Sequence, residues 1–230
     1  MRTRFSCLFV ALLATWSATA LAADTAKPTA KTELAIDRAH TAVLVMDYQK
    51  DIVGMVPEKA RSPLLDRASE AVKAARQAGL SIIYVVVRFR EGYPEISQRN
   101  SRFASLKESG RFREGDPGAE VHPRLAPQPG DVVVIKRRVG AFSTTDLETV
   151  LRAHNINTLV MFGIATSGVV LSTVRWAADM DYQLVVVSDA SADMDSEVHR
   201  VLMQKVFPTQ ATVVTTESLV KALALRETPK

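Results

Sequence analysis

Cysteine is almost absent. Cys7 is the only one in the 230 residues, and it lies in an opening segment that reads as removable. What remains has no disulfide, no thiolate nucleophile and no cysteine metal ligand. Histidine is scarce as well. His40, His122, His154 and His199 stand far apart and form no ligand set with metal-site spacing, so neither a metal nor another cofactor is expected. There is no internal repeat, no basic stripe and no nucleic-acid motif, so nothing points to a nucleic-acid partner. Of the net charge of +4, Arg2 and Arg4 supply two, and the apparent basicity belongs partly to the first residues.

Those first residues are MRTRFSCLFVALLATWSATALAA. Two arginines precede an apolar run from Phe5 to Trp16, and Ala20-Leu21-Ala22 is a small-x-small cleavage pattern. Residues 1–22 read as a secretory signal peptide, too short and wrongly flanked for a membrane span; a short uncut anchor is the other reading. A periplasmic or secreted protein is expected, with no membrane partner after cleavage. Residues 23–38, polar and Pro-containing, read as a flexible leader, and residues 39–226 as one domain long enough for a full core.

Within that domain strands and helices alternate. The runs TAVLVMD (41–47), SIIYVVV (81–87), DVVVIK (131–136), TLVMFG (158–163), QLVVVSD (183–189) and ATVVTT (211–216) are continuously apolar or nearly so, as strands buried on both faces should be. Helical spacing is expected over Pro63–Ala78 with Gly79 as the stop, from Thr145 or Asp146 through Ala153, over Gly168–Met180, over Ser196–Val206 and over Glu217–Ala224. The face of the Gly168–Met180 helix carrying Leu171, Val174, Trp176 and Ala178 reads as a core face, with a subunit contact as the alternative. This alternation predicts an α/β fold with a parallel sheet covered on both sides. Residues 88–130 break the pattern: polar, rich in Gly and Pro, with room for one short helix in FASLKESGRF. A connection of that length reads as a lid or an oligomerisation arm, or else as plain surface loop.

Ligands of open α/β sheets bind beyond the carboxyl ends of the strands. Three such ends carry suggestive groups: Asp47 in VMDYQKDI, Lys136 in IKRRVGAFSTTDL, and the turn Gly163–Ser167 in FGIATSGVVLST. Separately each has a bland explanation. Asp47 solvates a strand end, Lys136 belongs to a solvated Lys-Arg-Arg run, and Thr166 and Ser167 cap a helix. Together they place a carboxylate, an ammonium and a peptide turn at one sheet edge.

These segments, in this order, resemble the isochorismatase-like hydrolase superfamily over roughly residues 40–225. VMDYQKDI is similar to its Asp-x-Gln-x-Asp-Phe segment, GDVVVIKRRVGAF to its Lys-containing segment, and GIATSGVVLSTVRWA to the segment that carries its nucleophilic cysteine. The resemblance implies a three-layer α/β/α sandwich with six parallel strands in the order 3-2-1-4-5-6. It implies Asp47 and Lys136 as catalytic residues, and Gln49, Phe142, Ala165, Thr166, Ser167 and Val169 on the substrate side. It also implies a small-molecule substrate and a homo-oligomer. Val169 stands at the cysteine's position and Gly140 where a serine is usual. Isochorismatases also lack the cysteine, and their chemistry is vinyl-ether cleavage by a protonated Asp. By that resemblance Asp47 is a general acid, with a small, anionic substrate. Whether it holds a proton at neutral pH depends on burial, which raises its pKa, against Lys136, which lowers it. Backbone amides of residues 165–169 are candidates for holding an anion. A catalytically inactive binding protein and a hydroxyl nucleophile at Thr166, Ser167 or Ser172 are the competing readings, the last disfavoured because no histidine lies near in sequence.

Overall fold

The computed structural model describes residues 34–224. Six strands, β1 (Thr41–Met46), β2 (Ser81–Val87), β3 (Val132–Lys136), β4 (Thr158–Gly163), β5 (Gln183–Val187) and β6 (Thr212–Val214), form one sheet in the order β3-β2-β1-β4-β5-β6. Every pairing is parallel, so fold class and strand order are as expected. The order reverses between β1 and β4. The crevice beyond their carboxyl ends is therefore the topological switch point, where such sheets bind ligands.

Side-chain alternation divides the core into two layers. Val43 and Val45 of β1, Tyr84 and Val86 of β2, and Val160 and Phe162 of β4 face one side. Ala42, Leu44, Met46, Ile83, Val85, Leu159 and Met161 face the other. Both faces are covered by helices, which is why these strands are apolar at every position rather than at every second one.

The first layer is covered by α1 (Lys50–Met55), α2 (Glu58–Gln77) and α7 (Thr216–Ala224). Helix α2 buries Leu64, Leu65, Ala68, Ala71, Val72 and Ala75, the spacing seen in the sequence. It starts at Glu58 rather than Pro63. A proline in the second turn costs only one backbone bond, at an exposed position, so the helix continues through it. Its end is a Schellman motif: Gly79 at φ +78° donates to the Arg76 carbonyl, and Leu80 donates to that of Ala75. The second layer is covered by α4 (Leu147–Ala153) and α5 (Leu171–Asp179), followed in the chain by α6 (Ser196–Val201). The helices expected over 168–180 and 196–206 each include a wide π turn, Thr166–Val170 before α5 and Leu202–Val206 after α6. Hydrophobic spacing does not register one extra residue in a turn, so both read as plain helix in the sequence. On α5, Val174 is fully buried while Trp176 is half exposed, so the expected core face is only partly a core face.

Residues 88–130 are ordered cover. They contain α3 (Ser101–Ser109) and send Phe89, Tyr93, Ile96, Phe103, Phe112, Ala119, Val121 and Leu125 into the first layer. Short bridges fix them at Phe89–Arg113 and Gln49–Val121. The sequence looked polar there because its apolar residues are spaced for anchoring and not for a periodic element. The signal peptide expected over 1–22 lies outside the described residues, as does most of the leader. The leader's last part is packed: Ile36 is buried, and Asp37 caps the short turn Arg38–His40. No described helix is long and apolar enough to cross a membrane.

Candidate active site

Asp47 is the first residue beyond β1. Its backbone sits in the left-handed region at φ 60°, and its N–H donates to the Val85 carbonyl at 2.8 Å. That is an uncommon conformation for a residue with a side chain, though Asp tolerates it better than most. Lys136, the last residue of β3, lies two strands away, roughly 9.6 Å at ordinary strand spacing. Its long side chain spans β2, and Nζ stands 2.9 Å from Asp47 Oδ2. Nζ also donates to the Arg138 carbonyl at 3.1 Å. Asp47 and Lys136 are 5% and 3% exposed. The other carboxylate oxygen, Asp47 Oδ1, is buried and has no hydrogen-bond partner.

That arrangement answers the balance left open by the sequence. Burial pushes the Asp47 carboxyl up and is the largest influence. Lys136 opposes it by charge and by hydrogen bond, Arg102 by charge alone, and the net direction is up. A buried carboxyl that resists ionisation and keeps one oxygen unengaged is suited to carrying a proton.

The floor of the crevice is the turn after β4. Gly163 is required there, because a Cβ would stand 2.6 Å from the Met46 carbonyl oxygen. The Ile164–Ala165 peptide is cis. The amides expected to be available for an anion are mostly occupied: Thr166 donates to the Ala192 carbonyl, Ser167 to Asp193 Oδ2, and Gly168 to the Ala165 carbonyl. Val169 is buried in the second layer. Gly140 also has a spatial reason, since a Cβ there would lie 3.2 Å from Ser172 Cβ.

Two of the expected substrate-side residues are engaged elsewhere. Gln49 is fully buried, with Nε2 donating to the Val87 and Ala119 carbonyls and Oε1 accepting from the Val87 amide. It clamps the cover to the ends of β1 and β2. Phe142 packs in the second layer, its ring 6.4 Å from Trp176 and 6.0 Å from Tyr182. Its sequence neighbourhood suggested the crevice, but the chain turns it towards the helical layer. The Lys-Arg-Arg run is not a solvated patch either. Arg137 holds Glu95 and Glu114, and Arg138 lies 5.8 Å from the Phe103 ring centroid and donates to the Glu95 carbonyl.

Two residues escaped the sequence reading. His199 Nδ1 lies 2.8 Å from Thr166 Oγ1, so a histidine does stand beside this turn. Burial depresses its pKa, with Asp193 opposing. Thr166 is itself fully buried, which leaves its hydroxyl no access to a substrate. Arg102, on α3, points its guanidinium at the turn, with Nη2 3.9 Å from the place a Cβ on Gly168 would occupy. Neither is adjacent in sequence to the motifs, and only the tertiary fold brings them there. No group of three or more His, Cys, Asp or Glu with the makings of a metal site occurs among the described residues. A cleft of about 470 Å³ opens at the opposite end of the sheet, lined among others by Thr158, Gln183 and Pro208. Neither Asp47, Lys136, His199 nor Arg102 lines it.

The family model for the isochorismatase domain matches residues 41–218. An uncharacterised isochorismatase family protein, YwoC of Bacillus subtilis strain 168, is 32% identical over 188 residues, covering 82% of this chain and 96% of its own. A ureidoacrylate amidohydrolase, RutB of Stutzerimonas stutzeri strain A1501, is 32% identical over 179 residues, covering 69% and 72%. Among solved structures, a cysteine hydrolase from Pseudomonas syringae pv. phaseolicola 1448A superposes with a TM-score of 0.75 at 26% identity, covering 83% of this chain and 95% of that one.

Proposed function

Since the chain belongs to the isochorismatase family, whose matched relatives include hydrolases, we propose that it is a hydrolase that works without a cysteine, using Asp47 as general acid and base on a small anionic molecule. The observation that carries this reading is Asp47 itself: a buried carboxyl held up in pKa, one oxygen fixed by Lys136, the other unengaged. Val169 takes the position where the resemblance puts a thiolate, so covalent attack by sulfur is replaced by proton delivery. For a vinyl ether, Asp47 gives its proton to the alkene carbon. Water adds to the resulting oxocarbenium, and Asp47 regains a proton as the hemiketal forms and collapses to a carbonyl compound and an alcohol. Lys136 orients the carboxyl and balances its charge when the proton has left. Ala165 and Ser167 line the substrate side of the turn, and residues 88–130 form its lid. The protein is exported by residues 1–22 and assembles as a homo-oligomer.

The test is turnover of a panel of vinyl ethers and amides, ureidoacrylate among them, by wild type and Asp47→Asn. Loss of about 10²- to 10⁴-fold is expected for a positioned general acid; unchanged turnover would sink the reading. A second reading is an inactive ligand-binding protein. It is favoured by the small exposure of Asp47 and Lys136, 5% and 3%, and by the valine at position 169. It requires saturable binding with no product, so product formation by the pure wild-type protein removes it.

A further inference from the structure

We propose that His199 is a positioning residue of this site: its neutral ring accepts a hydrogen bond from the Thr166 hydroxyl and so fixes the turn that floors the crevice. This rests on the reading of Asp47 as the reacting acid, and adds what holds the floor in place beneath it.

Three observations lead there. The first is the bond itself. His199 Nδ1 and Thr166 Oγ1 are 2.8 Å apart, although one belongs to α6 and the other to the turn after β4, 33 residues away in sequence. The second is that Thr166 has nowhere else to send its hydroxyl proton. The residue is fully buried, and among the described residues His199 is the only partner of that oxygen. A ring protonated at Nε2 alone offers Nδ1 as acceptor. A ring protonated at both nitrogens leaves the hydroxyl proton buried and unpaired, which is costly. The third is where this bond sits. The turn is tied to the segment that leads into α6: Thr166 N–H donates to the Ala192 carbonyl at 2.8 Å, Ser167 N–H to Asp193 Oδ2 at 2.6 Å, and Ala192 N–H back to the Gly163 carbonyl at 3.2 Å. Backbone groups do not titrate, and the amides on Asp193 hold its pKa down. Only the His199 tie depends on an imidazole.

The surroundings favour the neutral ring. Burial pushes the His199 pKa down and outweighs Asp193, the charged group acting on it from the loop after β5. On its own helix Glu197 and Arg200 hold each other and Asp195 caps the first turn, while Arg102 approaches the same turn of the chain at Gly168. Protonation of the ring removes the acceptor and loosens the turn at Thr166, between Ala165 and Ser167. Falling pH thus frees the floor while it gives Asp47 the proton its role needs. The two groups set opposite limbs: a general acid loses activity as pH rises, and a neutral strut loses it as pH falls.

The experiment follows the histidine ring nitrogens and the Ser167 and Gly168 amide resonances of the purified protein between about pH 8 and pH 5. At the upper end the His199 ring is expected to carry its proton on Nε2 and to accept at Nδ1. On acidification the ring and both amides should move with one midpoint, below the ordinary histidine value of about 6.5. His199→Asn puts a neutral acceptor near the place of Nδ1 and should hold the wild-type amide positions through the range. His199→Gln reaches towards the place of Nε2 instead, and His199→Ala offers no acceptor, so in both the amides should be displaced at every pH. Turnover of the vinyl-ether and amide panel gives a second readout. His199→Ala is expected to lower kcat by about ten- to a hundredfold, the scale of a misplaced site. His199→Asn should recover most of that loss and lack the acid limb of wild type. A ring protonated on Nδ1 at the upper end, amides that keep their wild-type positions in His199→Ala, amide titration that persists in His199→Asn, or a His199→Ala kcat equal to that of wild type each overturns the proposal. The wild-type ring decides by itself if a variant fails to fold, and the resonances decide if the panel shows no turnover. Asp47→Asn separates the two readings. If turnover survives it while ring and amides behave as expected, the catalytic reading fails and the anchoring of the turn by His199 stands. If turnover is lost in Asp47→Asn and the amides ignore His199, the reverse holds.

Discussion

Strand β3 carries an ion pair at each end, part-buried at the first and buried at the last, and the two are built differently. Before its first residue, Asp131 receives both terminal nitrogens of Arg76 at 2.7 Å, and its Oδ2 also accepts the Gln128 amide. Burial alone would raise that carboxyl, but these bonds outweigh it and the pKa is lowered. At the last residue, Lys136 reaches one oxygen of Asp47 and the other has no partner. There burial prevails and the pKa is raised. A saturated carboxylate is a fixed charge that holds two elements together, whereas a half-saturated one can gain or release a proton at little structural cost. The two carboxyls thus differ both in burial, deeper for Asp47, and in hydrogen-bond count, greater for Asp131, and both differences push their pKa values apart.

The largest effect that would break this contrast is on turnover. Asp47→Asn should remove activity by about 10²- to 10⁴-fold while the protein stays folded, because the amide oxygen can still accept from Lys136 Nζ. Activity assays paired with a denaturation curve check both halves. The reciprocal substitution sharpens it. Asp131→Asn should cost about 1–3 kcal/mol of stability, the usual loss for charge-assisted bonds to a buried group, and leave turnover as in wild type. If Asp131→Asn impaired turnover as much as Asp47→Asn, the two ends of β3 would not differ in kind.

Much of this fold was legible in the sequence. Six apolar runs of strand length, separated by helical spacing, point to an α/β sheet, and the family resemblance of the motifs implies the arrangement 3-2-1-4-5-6 that the structure has. Asp47 and Lys136 were legible as strand-end charges, because an ionisable residue closing an apolar run has nowhere to go but the sheet edge. Their pairing was a matter of side-chain reach. What the sequence could not supply was occupancy. Gln49 looked like a ligand contact and is consumed by backbone groups of β2 and the cover. Phe142 looked like a pocket wall and stacks in the helical layer. The turn amides looked available, yet three are spent within the chain. His199 and Arg102 reach the crevice from segments with no local signature, since tertiary proximity leaves no trace in spacing. Hydrogen-bond saturation is a property of three dimensions, and it separates the structural polar groups from the reactive ones.

A smaller effect tests the same contrast through acid. Asp131 has a folded-state pKa below its unfolded value, so its ionised form contributes stability that is complete above the unfolded pKa, about 3.9, and is lost as pH falls through the folded one. Asp47 has the opposite sign. Its folded pKa is raised, so as pH falls from neutral the native state takes up a proton before the unfolded chain does. Stability is then gained until the pH reaches the unfolded value. Melting temperatures across this range should therefore separate the variants. The advantage of wild type over Asp47→Asn should grow on acidification from neutrality towards about pH 4. The advantage of wild type over Asp131→Asn should stay level across that range and shrink only below it. Parallel curves for the two variants would mean that both carboxyls titrate alike, and the missing partner on Asp47 Oδ1 would then have no bearing on proton uptake.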